Sequence, residues 1–365
     1  MVEVNHGKYL AKMRSSRGSI RQTAIAAFVV LAIIVSIHIR KTATMAPGHS
    51  ASKSSSSLAL TIPTKLESGW NDAGRKLYNE TVATLPGLGF KNVTILNKHG
   101  PIFVSKQECA NRNFWGRASS GIWEPKTFKI FDKYVTGETT VVDFGTWIGP
   151  TLLYHGQFSK HSFGIEADPI AYAVAEYNVD LNRKLNPEWG KHVSIDSACV
   201  SRPEDAGFLT MKAGGIPGSS MSGINGKVAQ DRGENAVSWQ VKCYTLPDIF
   251  VFWGLEKPYK DVFIKIDIES YECKLIPSFY DWLKDEIFLP KMFINYHPGI
   301  QDCSDEEWKG LMKFLKLYDH VRIGTDSKDL VLEKETTFGD FMKMAGKRDF
   351  VVYQNQHAEA LKLLV

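Results

Sequence analysis

Apolar positions along this chain follow two alternating patterns. Short, nearly unbroken apolar runs occur at residues 140–144, 162–166, 193–196, 261–268 and 291–297. Weaker strand-like pieces lie at 98–106, 238–244, 321–323, 330–332 and 350–353. Between them the apolar spacing is helical. Phe128, Phe131 and Val135, widened by Ile130 and Tyr134, share one face, as do Ile170, Val174, Tyr177 and Leu181. Residues 149–158, 305–317 and 340–345 also read as helices, the second behind a cap at Ser304. Apolar runs of four to eight residues suit strands buried on both faces, and the 3.6-residue period suits amphipathic helices. Their alternation predicts an α/β class: a doubly wound, mostly parallel sheet with helices on both faces. The helix at 126–135 precedes the first strand and is expected to pack on the sheet edge.

The chemistry concentrates where the first parallel strand ends. Val141-Val142-Asp143-Phe144 runs into Gly145-Thr146-Trp147-Ile148-Gly149-Pro150, then a helix, and the next strand ends in Glu166. A dinucleotide fingerprint read from Gly145 would need glycines where Trp147 and Pro150 stand, and an indole there would block a pyrophosphate. That argues against an NAD-dependent enzyme. The remaining pattern, Asp143-x-Gly145-x-x-x-Gly149, resembles the first motif of S-adenosylmethionine (SAM)-dependent methyltransferases, whose cofactor carries no phosphate. Asp143 is then expected near the ammonium of the cofactor, and Glu166 on the ribose hydroxyls. Gly145, Thr146 and Gly149 form the turn, and Asp196 and Ala198, after the third strand, are expected at the adenine. A βαβ turn with no ligand is the plain alternative.

Two later strands also end in polar groups. Asp267 and Glu269 follow the strand at 261–266, on one side if the chain stays extended, and His297 closes the run at 291–297. Open α/β sheets bind ligands outside the carboxyl ends of their strands. These three are the catalytic candidates: His297 or Asp267 as base, with Glu269 orienting. Lys265 on the same side is able to pair with either acid, and a divalent metal on the two acids is a further option. Trp115 and Trp123 are candidate covers for the cofactor. The stretch 201–235 holds six glycines between Gly214 and Gly233 and is either a substrate loop or a surface insertion.

The N-terminus changes the setting. Residues 23–39 carry no formal charge, the lower length limit for a spanning helix. Lys12, Arg14, Arg17 and Arg21 precede them, and Arg40 and Lys41 follow. The positive-inside rule then gives a cytosolic basic tail (1–22), a signal anchor (23–39), a Ser-rich flexible stem (40–60) and a luminal body. The body divides into an extension and cap (61–135) and the catalytic domain (136–365). A cleaved signal or an organelle presequence are the competing readings. Sequons at Asn79-Glu80-Thr81 and Asn92-Val93-Thr94 agree with a lumen. The net charge of +4 comes from the tail: residues 1–57 hold eight Lys/Arg against Glu3. Subtracting these from totals of 44 basic and 40 acidic residues leaves 36 and 39 for the body, a net of −3. Such a body is no nucleic-acid binder by bulk charge. The five cysteines, an odd number without a C-x-x-C pair, read as buried free thiols, with one bridge open to a luminal body.

Several ordered motifs resemble the FkbM family of SAM-dependent methyltransferases: Trp123-Glu124-Pro125, VVDFGTWIGPT (141–151), GIEADP (164–169), IKIDIESYE (264–272) and NYHPG (295–299). The resemblance implies a class I Rossmann-like fold and O-methylation of a hydroxyl acceptor. With a luminal site, the acceptor expected is a glycan or other secretory-pathway hydroxyl, in a type II membrane protein of the Golgi or secretory pathway. Two stretches depart from the family pattern: Gly145-Thr146-Trp147, where it usually reads G-A-N, and Ser270, where it usually has Gly. A catalytically inactive scaffold is the reading those two departures favour.

Overall fold

The computed structural model describes residues 69–109, 113–213, 218, 220, 222–223, 237–269, 271–296, 303–323, 329–330, 332, 336, 340–341 and 349–354. The segments expected to be anchor (23–39) and stem (40–60), His297, Ser270 and most of the helix expected at 340–345 lie outside them. Among the described residues no helix is long and apolar enough to cross a membrane.

The description opens with a helix that apolar spacing did not announce, α1 (Asp72–Leu88), capped where the Asn71 side chain accepts from the Gly74 N–H at 3.1 Å. A hairpin follows, β1 (Phe90–Val93) with β2 (Ile102–Ser105), then the short α2 (Phe114–Ser119) and α3 (Pro125–Tyr134). The doubly wound part begins with β3 (Thr140–Phe144), α4 (Pro150–Gly156), β4 (His161–Glu166), α5 (Pro169–Leu185), α6 (Pro187–Gly190) and β5 (Val193–Ser197). Three strands form a separate small sheet: β6 (Cys199–Val200), β7 (Gly207–Ala213) and β8 (Val237–Tyr244). The chain returns through α7 (Leu246–Phe252), β9 (Val262–Ile266), α8 (Glu272–Leu283), β10 (Lys291–Ile294) and α9 (Asp305–Leu315). It finishes with β11 (His320–Ile323), β12 (Asp329–Leu330) and β13 (Phe350–Tyr353).

The main sheet runs β12-β11-β13-β10-β9-β3-β4-β5. The five strands from β10 to β5 are mutually parallel, and β11, β12 and β13 add antiparallel pairs at one side. Alternate residues of the central strands feed two cores. Val141, Phe263 and Phe293 point to one face, with α3, α4, α5 and the N-terminal extension. Val142, Ile264 and Met292 point to the other, with α7, α8 and α9. Burial on both faces explains why these strands read as continuous apolar runs.

Two expectations need correction. The α3 helix covers the centre of a sheet face rather than its edge: Phe131 meets Phe263 at 5.9 Å and Phe293 at 6.4 Å. Its apolar stripe is too wide to be buried at an edge. The cysteines are mostly paired, as Cys199–Cys243 and Cys273–Cys303, leaving Cys109 as a buried free thiol. Cys199 and Cys243 lie 44 residues apart but come opposite each other where β6 and β8 pair, with Cα atoms 4.4 Å apart. The sequon asparagines Asn79 and Asn92 are both exposed.

Candidate cofactor and active site

Strand order reverses between β3 and β9. From β3 the chain winds outward through β4 to β5, then crosses back to β9 and on to β10. At such a switch point the connecting loops part and leave a crevice at the carboxyl ends. Gly145 stands on one side of it and Asp267 on the other. Their backbones approach so closely that a Cβ on Gly145 would lie 1.9 Å from the Asp267 carbonyl oxygen. Gly145 also has φ +75°, so glycine is required there twice over. Gly149, at φ +88°, starts α4 and belongs to the turn rather than to the cavity wall.

A cavity of about 610 Å³ opens at this point. Glu166, 9 % exposed, forms part of its wall. The backbone N–H of Trp147 donates to Glu166 Oε2 at 2.7 Å and that of Asp168 to Oε1 at 2.8 Å. The carboxylate is therefore held at a fixed angle. Burial pushes its pKa up to about 7, because the two N–H bonds only partly replace lost hydration. Trp147 adopts a left-handed backbone, φ 49°, to deliver its N–H. Asparagine tolerates that conformation and tryptophan rarely adopts it. The indole is anchored instead: Nε1 donates to Gly218 O at 2.8 Å and the ring packs edge-on to Phe114 at 4.6 Å.

Asp143 is placed differently from the expectation. It is fully buried and forms no part of the cavity wall. Lys265 Nζ lies 2.9 Å from its Oδ1, Thr151 Oγ1 donates to Oδ2 at 2.7 Å, and His155 Nε2 is 3.4 Å from Oδ2. Burial alone would raise the pKa of Asp143, but Lys265 with His155 and Thr151 outweighs it and holds the carboxyl below its ordinary range. Lys265 is likewise buried. Burial works against its charge, and Asp143 and Asp267 more than restore it, raising its pKa. Lys265 Nζ also donates to Gly145 O at 3.0 Å and lies 3.5 Å from Asp267 Oδ2, so it fastens β3 to β9 at the crevice.

Asp196 is the second correction. Its Oδ2 accepts from the Trp253 indole at 2.9 Å, and it forms no part of the cavity wall. Ala198, two residues on, lines the cavity with Cys199, Val200 and, from β7, Met211. Sequence reasoning missed Val200 and Met211, since no local pattern reveals that the small sheet closes over the main one. The glycine-rich stretch contributes Ser220 and Ser222, and Ser222 Oγ donates to Asp168 Oδ2 at 2.7 Å.

Asp267 and Glu269 both line this cavity, as does Tyr271. The strand does not stay extended to hold them: β9 ends at Ile266 and Glu269 has φ 49°. A second cavity of about 620 Å³ adjoins the first and shares Gly145, Trp147, Ser220, Asp267 and Glu269 with it. Thr146, Pro150, Thr151, Lys265, Trp123 and Glu124 complete that part. Trp123 thus lines the site, while Trp115 is a fully buried core residue. Glu124 was not anticipated as a site residue. Burial first, then the charge of Asp267, push its pKa up to about 7 against the pull of Lys265. The signal for it in the sequence is its place in the Trp123-Glu124-Pro125 motif. His297 lies outside the described residues.

No protein-family model matches the chain. A ribosomal protein L11 methyltransferase of Clostridium perfringens is 38% identical over 61 residues, 16% of this chain and 20% of that enzyme. Among solved structures, Trm5b from Pyrococcus abyssi is similar at TM-score 0.30 and 11% identity, over 70% of this chain and 53% of that one. A SAM-dependent methyltransferase from Aquifex aeolicus is similar at 0.27 and 13%, over 62% and 87%. Geranyl diphosphate C-methyltransferase from Streptomyces coelicolor, crystallised with Mg²⁺, geranyl diphosphate and S-adenosyl-L-homocysteine, is similar at 0.27 and 11%, over 78% and 97%. The chain matches about a fifth of the L11 enzyme and about half of Trm5b. The chain's own fold is mixed α/β, with a mostly parallel central sheet and a cavity at the switch point.

Proposed function

We propose that this protein is a membrane-anchored methyltransferase that modifies a hydroxyl group in the secretory pathway. Its cofactor is S-adenosylmethionine. The observation that carries the reading is Glu166, an acid at the carboxyl end of the second parallel strand, held by two backbone N–H groups on the wall of a switch-point cavity. Such an acid is placed to accept the two ribose hydroxyls. Ala198, Val200 and Met211 supply an apolar wall suited to an adenine.

S-adenosylmethionine supplies a methyl group on a sulfonium, transferred in one displacement. The chain's own contribution is to hold the acceptor oxygen in line and to remove its proton. Asp267 and Glu269 line the cavity, with Asp267 or His297 as the base and Glu269 orienting. The acidic setting suits a neutral hydroxyl acceptor. Resemblance to the FkbM family supports O-methylation, and a glycan is the acceptor this reading names. The N-terminal segment at 23–39, two exposed sequon asparagines and two disulfides support a type II protein with a luminal body, because disulfides persist in oxidising compartments.

Calorimetric titration of the full chain with S-adenosylhomocysteine tests the cofactor. Binding that is lost in Glu166→Ala is expected. Equal affinity in both proteins would remove Glu166 from the site, and no binding to the wild type would refute the reading.

A further inference from the structure

Asp143 is the acid that the glycine-turn motif offers to the ammonium of the cofactor. The structure closes that route. Its carboxylate is fully buried, bonded to Lys265 and Thr151, and absent from both cavity walls. A cofactor with an amino-acid end must place its ammonium against another group.

The second cavity begins at the same turn, at Gly145, Thr146 and Trp147, and continues away from Glu166. Glu124 stands on its wall. Its backbone is left-handed, φ 41° and ψ 47°, at the start of α3, and Thr127 Oγ1 donates to Oε2 at 3.2 Å. Holding a non-glycine residue there costs about 1–3 kcal/mol, which the surrounding packing must offset. Trp123 and Trp147, with ring centroids 6.4 Å apart, line the same space. Indole faces attract ammonium groups, and a buried carboxylate attracts them more strongly.

We propose that Glu124, rather than Asp143, receives the ammonium at the amino-acid end of the cofactor, with Trp123 and Trp147 walling the group in. The inference rests on the cofactor reading above. It also accounts for the electrostatics of the site. Burial and Asp267 push Glu124 up to about 7, so the carboxyl is half protonated near neutrality. A cation at that point would hold both acids ionised.

The test uses three ligands on the full chain, none needing an acceptor. S-Adenosylhomocysteine carries the ammonium. Its desamino analogue lacks only that group, and 5′-methylthioadenosine lacks the whole amino-acid end. In Glu124→Gln, S-adenosylhomocysteine is expected to bind at least tenfold more weakly, while methylthioadenosine stays within twofold and reports an intact fold. On the wild type, the desamino analogue is expected to bind at least tenfold more weakly than S-adenosylhomocysteine. Unchanged S-adenosylhomocysteine affinity in Glu124→Gln overturns the proposal. If that variant loses both ligands through misfolding, the wild-type comparison decides, and equal affinity for the desamino analogue overturns it. Failure of every ligand to bind the wild type would instead refute the cofactor reading.

Discussion

Lys265 Nζ stands 2.9 Å from Asp143 Oδ1 with both side chains withdrawn from solvent. Asp143 leaves β3 and Lys265 is on β9, so the pair ties together the two strands that define the crevice. A buried pair is costly to break, because the partner left behind keeps its charge without water. Lys265→Met is therefore expected to destabilise the fold by about 3–5 kcal/mol. Asp143→Asn combined with Lys265→Met should recover a large part of that loss, in denaturant unfolding of the single and double variants. A double variant no more stable than Lys265→Met would show that the charge on Asp143 is not the source of the loss.

The same pair sets a pH dependence. Asp143 has its folded pKa below the unfolded value of about 3.9, so its contribution is complete above that value and fades as pH falls through the folded one. Lys265, raised above its unfolded value of about 10.4, contributes below that pH and loses its contribution as pH rises through the folded value. Denaturation midpoints measured from pH 2 to 7 should fall at the acid end less steeply in Asp143→Asn than in the wild type. Parallel curves would contradict the assignment.

Glu166 gives a binding signature near neutrality. Its pKa of about 7 is high because the carboxylate is buried, and ribose hydroxyls donating to it favour the ionised form. Ligand binding at pH 6.5 should release a fraction of a proton, and affinity should rise with pH through about 7 and then level off. Methylthioadenosine is the ligand to use, because it does not reach Glu124. Calorimetry in two buffers of different ionisation enthalpy measures the release, and identical apparent enthalpies in both would count against Glu166.

Gly145 should tolerate no side chain. Gly145→Ala would drive a methyl group to 1.9 Å from the Asp267 carbonyl oxygen and strain a φ of +75°. A loss of at least about 2 kcal/mol in unfolding free energy is expected, together with at least tenfold weaker S-adenosylhomocysteine binding. A variant with wild-type stability and affinity would mean that β3 and β9 can part freely.

Cys199 is both half of a disulfide and part of the wall of the switch-point cavity. Cys199→Ser with Cys243→Ser should cost about 2–4 kcal/mol of stability and weaken S-adenosylhomocysteine binding, since β6 and Met211 on β7 are held against the main sheet through β8. Thermal unfolding and titration of the double variant check this, and no change in either would make the bridge incidental.

The sequence alone determined the α/β class, the order of the parallel strands' motifs and the glycine turn. Those features are local: continuous apolar runs, helical spacing, and a Gly where the chain must turn sharply. It also identified Glu166, Ala198, Asp267 and Glu269 as residues at carboxyl ends, all of which the structure brings to one cavity. The fate of each charge was decided only by the tertiary structure. Asp143 and Lys265 are 122 residues apart, and nothing local says that β9 will lie beside β3 in the register that joins them. Asp196 is taken up by the Trp253 indole, 57 residues on, a partner that no local pattern announces. Glu124 and Met211 were overlooked because each enters the site from an element outside the main sheet. The two disulfides were invisible for the same reason: pairing depends on distance in space, and spacing along the chain carries no trace of it.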